Sequence, residues 1–135
     1  KAFAYKNGFI YFTTDEGHIY KLPENTSIPT QLILSGPPLN KPNGIAFDGD
    51  VMYVVNYGPV TGTGSWIAKI TNESNVTEFK KDINWLCASA GIAVRGNYIY
   101  VSNGSKNMSG STITSCGAIP GTNTSVLNTI VKFFH

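Results

Sequence analysis

The chain has 135 residues, 41% of them hydrophobic and only 13% charged, which supports a buried core and excludes a disordered chain. Its ten basic and eight acidic residues leave a net charge of +2 and are scattered, so no Lys/Arg cluster suits a nucleic-acid backbone. No apolar run approaches the ~18 residues of a membrane span, and the opening Lys1-Ala2-Phe3-Ala4-Tyr5 reads as a strand rather than a signal peptide.

The first predicted hairpin is Ala4-Tyr5-Lys6-Asn7-Gly8-Phe9-Ile10-Tyr11-Phe12, two runs of strand formers around an Asn-Gly turn. A third strand follows at Ile19-Tyr20-Lys21-Leu22 and a fourth at Thr30 to Leu34. The order then returns: Ala46 to Val54 form a hairpin around Gly49-Asp50, Ile67-Ala68-Lys69-Ile70 a third strand, and Val76 to Phe79 a fourth. It returns again at Ala93 to Val101 and Ile130-Val131-Lys132-Phe133. Tyr11, Tyr53 and Tyr100 hold one place in the pattern, 42 and then 47 residues apart, and Asn56 and Asn103 follow their tyrosines at equal distance. No segment carries a helical period.

Four short antiparallel strands recurring at this spacing predict an all-β chain of about three β-propeller blades, near 1–38, 39–85 and 86–135. One such sheet cannot bury both of its faces, whereas sheets stacked about an axis cover one another. Closed propellers need about four to eight blades, and the last copy stops after its third strand at Phe133-Phe134-His135. The expectation is therefore a part of a six- or seven-bladed propeller, completed by the same polypeptide. A homo-oligomeric ring is the alternative.

The connection from second to third strand grows from copy to copy: 8 residues from Tyr11 to Ile19, 14 from Tyr53 to Ile67 and 30 from Tyr100 to Ile130. Long loops on a rigid frame are usual recognition sites. The segments Tyr57–Trp66 and Ser102–Leu127 are thus the candidate surface for a protein or glycan partner, with Tyr57, Trp66 and Trp85 as its aromatic contacts. Packing against a neighbour, or burial between blades, is the plainer alternative. Cys87 and Cys116 both map to that end of the blades, so a disulfide fits, with two buried thiols as the other reading. Six Asn-X-Ser/Thr sequons, at Asn25, Asn72, Asn75, Asn103, Asn107 and Asn123, exceed the roughly two expected by chance and fall in predicted loops. Sequons and disulfide together point to a secreted or cell-surface glycoprotein, virion-associated ones included.

The run Pro42-Asn43-Gly44-Ile45-Ala46-Phe47-Asp48-Gly49, followed by Met52-Tyr53-Val54-Val55-Asn56, resembles the repeat of NHL-type propellers and their relatives, the gluconolactonase/regucalcin and streptogramin-lyase families. The resemblance implies the fold over nearly the whole chain and no particular activity. In the gluconolactonase/regucalcin group an Asn before such a Gly helps bind a divalent metal. By that resemblance Asn43 is the candidate ligand and Ca²⁺ the candidate cofactor. The family's Asp in the next blade is replaced here by Ala90, so a lactonase- or lyase-like centre would need groups from elsewhere. His18 carries no catalytic motif, and the Gly-rich run Gly58 to Ser65 lacks the Lys of a phosphate loop. The expectation is a binding or structural module rather than an enzyme, with no cofactor of its own.

Overall fold

The computed structural model describes residues 2–25, 30–36 and 38–135. All regular elements among them are strands: β1 (Phe3–Lys6), β2 (Phe9–Thr13), β3 (Ile19–Pro23), β4 (Gln31–Leu34), β5 (Pro42–Asp48), β6 (Val51–Asn56), β7 (Trp66–Thr71), β8 (Asn75–Lys80), β9 (Ser89–Arg95), β10 (Tyr98–Asn103) and β11 (Ile130–Phe134). They form three antiparallel meanders in chain order, β1-β2-β3-β4, β5-β6-β7-β8 and β9-β10-β11. The first turn shows why pairing is local. Asn7 and Gly8 take φ of 51° and 82°, the left-handed pair whose twist matches the flanking strands.

The three tyrosines sit in equivalent register. Tyr11 lies opposite Ala4 and Lys21, Tyr53 opposite Ala46 and Lys69, and Tyr100 opposite Ala93 and Lys132. Side chains alternate between sheet faces, so each sheet turns its tyrosine face one way and its aliphatic face the other. The first strands carry the stacking: β5 packs on β1 and β2, and β9 on β5 and β6. Ile19, Ile45, Met52, Val54 and Ile70 fill the first intersheet core. Val55, Ile67, Ile99, Val101 and Val131 fill the second, with Leu86 from the connection.

The middle sheet is covered on both sides, which is why Val51 to Val55 read as an unbroken apolar run. Gly44 makes the closest approach possible. A Cβ there would stand 2.6 Å from the Ala90 carbonyl oxygen and 2.8 Å from the Val55 side chain, so only glycine lets β9 lie against β5. The end sheets each leave one face open, with Phe3, Tyr5 and Leu32 exposed on the first and Tyr98, Ile130 and Phe134 on the third. The sheets form an open array rather than a closed one. Two sequon asparagines expected in loops belong to strands: Asn75 begins β8 and Asn103 ends β10.

Candidate functional site

The long connections start from two matched asparagines. Asn56 Oδ1 accepts the Asn40 amide at 3.0 Å, and Asn103 Oδ1 accepts the Cys87 amide at 3.2 Å. Each bond ties the end of a second strand to the turn entering its sheet. The residues after Asn40 and Cys87, Lys41 and Ala88, are left-handed at φ 52° and 47°. Their carbonyls accept the amides of Tyr57 and Gly104, the first residues of the two loops. One hydrogen-bonded corner therefore launches both loops from the same place in consecutive sheets. The spacing of Asn56 and Asn103 carried this signal, although the sequence alone did not show the bonds.

The loops then lock together. Ser65 Oγ donates to the Tyr57 carbonyl at 2.7 Å and accepts the Ser89 amide at 3.1 Å. Tyr57 is buried, and its hydroxyl donates to the Lys106 carbonyl in the neighbouring loop at 2.7 Å. The Met108 amide donates to the Val60 carbonyl at 2.9 Å, and the Ala88 amide to the Gly62 carbonyl at 2.7 Å. Within the long loop two isolated bridges, Lys106 with Thr112 and Ala118 with Ser125, pin two small excursions. Ile113 and Val126 plug it into the core. A disulfide joins Cys87 to Cys116. The product is one cross-tied platform whose apolar tips, Val60 and Met108, are 58% and 50% exposed.

The aromatic residues expected on this surface are placed otherwise. Tyr57 is an internal pillar. Trp85 is partly buried, packs edge-on against Phe133 at 5.9 Å and lends its carbonyl to Asn103 Nδ2 at 2.8 Å. Trp66 opens β7 and lines a cleft of about 360 Å³ with Pro38, Val76, Thr77, Glu78 and Lys81, on the side of the sheet that packs on the first. It does not join the platform.

The sequons separate by environment. Asn25, Asn72, Asn75 and Asn123 are exposed, and Asn107 is half-buried with Oδ1 accepting the Ser109 and Ser111 amides. Asn103 is buried. Its Oδ1 also accepts Ser89 Oγ at 2.6 Å, and its Nδ2 donates to Trp85 and, at 3.4 Å, to Thr129 Oγ1. The nitrogen that would carry a sugar at Asn103 is thus enclosed and hydrogen-bonded inside the fold, unlike those of the exposed sequons.

A second polar constellation, not singled out by the sequence, joins the first two sheets. Glu73, in the turn between β7 and β8, accepts the Tyr11 hydroxyl at 2.7 Å and Lys21 Nζ at 3.0 and 3.1 Å. Burial alone would raise the Glu73 carboxyl. The hydrogen bonds from Tyr11 and then Lys21, with the Lys21 charge, outweigh it and hold the group below its ordinary value. Tyr11 is pushed up to about 12, first by burial and then by its bond to Glu73 and the charge of Glu73. Beside it Lys6 pairs with Asp50 at 3.0 Å and bonds to the Gly49 carbonyl.

Asn43 is half-buried at the register shift that opens β5. Among the described residues no three His, Cys, Asp or Glu side chains converge. One amide oxygen does not fit a hard cation that takes six to eight oxygens. His18 stacks edge-on against Tyr20 at 5.9 Å, below the first sheet's short loop. No helix among the described residues is long and apolar enough to cross a membrane, which does not bear on spans made of strands. No protein-family model matches the chain, and no curated protein matches it.

Proposed function

We propose that the chain is a binding module of a secreted or cell-surface glycoprotein, that its three sheets are consecutive blades of a β-propeller, and that the joined loops hold a protein partner. The observation that carries the reading is the platform: two loops from successive sheets, cross-tied by Met108 to Val60 and Tyr57 to Lys106, the longer one also stapled by a disulfide to the connection before β9, with apolar tips outward. Rigid loops lose little entropy on binding. Val60 and Met108 suit a protein surface, since Met adapts to irregular apolar contacts. A glycan would call for outward aromatic faces, whereas Tyr57 and Trp85 are turned inward. Equivalent tyrosine register and stacking through first strands support the blade reading, and the disulfide together with exposed sequons supports an oxidising, glycosylating compartment.

The test is binding of the labelled, glycosylated chain to an array of extracellular proteins and of free glycans. Val60→Asp with Met108→Asp should abolish capture by the protein hit without changing the melting temperature. Capture by glycans alone, or capture indifferent to both substitutions, would refute the platform. Peptide mapping gives a second check: a sugar on Asn107 would stand beside Met108 and cover the tip, so that sequon should be bare.

A further inference from the structure

The two open sheet faces repeat parts of a junction that the chain already contains. At the first junction the first sheet is the receiving half. Tyr11 and Lys21 clasp Glu73, Lys21 Nζ lies 4.6 Å from the centre of the Phe9 ring, and Lys6 takes Asp50. Register places Tyr100, Lys132, Tyr98 and Arg95 of the third sheet where Tyr11, Lys21, Phe9 and Lys6 stand in the first. The likeness extends to geometry: Lys132 Nζ lies 4.8 Å from the centre of the Tyr98 ring. Here Lys132, Arg95 and Tyr98 are exposed, and no described sheet packs on them.

The first sheet's open face repeats the donor half in part: Asn25 and Gly8 hold the register positions of Glu73 and Asp50, and the carboxylate is supplied one residue earlier, by Glu24. Tyr5 occupies the register position of Phe47, the ring that meets Tyr11 edge-on at 4.9 Å. Glu24 lies just past β3, at the position Asn72 holds beside Glu73 past β7. The Tyr5 hydroxyl donates to Glu24 Oε2 at 3.0 Å, and both residues are exposed. One face thus offers two cations and two tyrosines, and the other a carboxylate beside an aromatic ring. The second junction uses a different pair, Asp48 with His135 at 3.3 Å, so the faces are distinguished by their polar partners.

We infer that the cationic tyrosine face of the third sheet docks the first sheet of a second copy of this chain, head to tail, with Glu24 taking the role of Glu73. The inference rests on the reading of the sheets as blades. Head-to-tail contacts close into rings when the rotation permits.

Sedimentation velocity and light scattering across a concentration series test it. The native chain should form a dimer and no larger species. Lys132→Glu or Glu24→Lys should each weaken association by about tenfold or more. The two reversals in one chain should restore it, because opposite charges would again meet across the junction, with their signs exchanged. Both substituted positions are exposed, and the retained disulfide and unchanged near-ultraviolet dichroism show that each variant folds. A chain monomeric at every concentration, a dimer indifferent to both reversals, or a double variant weaker than either single one would overturn the inference. The blade reading is measured separately, by protection of β5 and β9 amides at low concentration. Protected strands in a monomer would leave stacking intact while the docking fails.

Discussion

Asn103 engages four groups within one buried corner: it accepts from the Cys87 amide and Ser89 Oγ and donates to Trp85 and Thr129. Removing the amide would strand the Cys87 amide and leave the Ser89 hydroxyl without its acceptor, so Asn103→Ala should cost about 2–4 kcal/mol, read by urea denaturation. Glycosidase-dependent peptide mapping should find no sugar at this position in folded protein. Glu73 works on the other side of the molecule at φ 60°, a conformation costly for a bulky residue, and the Tyr11 and Lys21 bonds offset that cost. Its side chain is 38% exposed, so solvent screens the pair and Glu73→Gln should lose only about 1 kcal/mol. The sign of the pH dependence follows from the lowered carboxyl. Its contribution is present above the ordinary value of 4.5 and is lost as pH falls through the lower folded value. Tyr11 acts in the opposite sense, with a contribution present below 10 and lost as pH rises through about 12. The melting temperatures of native and Glu73→Gln protein should therefore differ at neutral pH and converge in acid.

At the scale of elements, the long loop is held by its tether and its plugs. Closing a separation of 29 residues removes about 3–4 kcal/mol of freedom from the unfolded chain. Cys87→Ser with Cys116→Ser should lower stability by that amount, and limited proteolysis should then cut within 104–129 while β6 and β7 persist. Gly44→Ala probes the stacking of elements: a methyl group against the Ala90 carbonyl would force β9 off β5, at about 1–3 kcal/mol. The strands were legible because alternation and Asn-Gly turns are local signals, and all three tyrosines fall in the register their spacing implies. The loops were not. Ile113 stands alone in a polar run and Val126 is followed only by Leu127, and their burial is set by contacts with distant parts of the chain. Tyr57 looks like any exposed loop aromatic until Lys106 is brought beside it. Glu73 gave no signal, since its partners Tyr11 and Lys21 lie more than fifty residues away. Asn103 gave an ambiguous one, because a glycosylation consensus does not tell an exposed asparagine from a buried structural one.

For the molecule as a whole, what matters is which sheet faces are covered. The middle sheet has both, and every residue of β6 from Met52 to Asn56 is buried. The first and third sheets have one each, and Phe3, Ile130 and Phe134 remain 77%, 74% and 64% exposed. Local opening costs least where few apolar contacts are broken. Amide exchange should therefore be slowest in β6 and β7, faster in β2 and β10, and fastest in β1 and β11, whose open-face side chains are the most exposed. Dilution separates intrinsic opening from assembly. If a second copy covers the end faces, protection of β1 and β11 rises with protein concentration, because binding stabilises the bound form by mass action. Exchange in β6 stays constant, since its cover comes from within the chain. With Lys132→Glu the concentration dependence of β1 and β11 should move to about tenfold or more higher protein concentration, and the order of exchange measured at low concentration should remain.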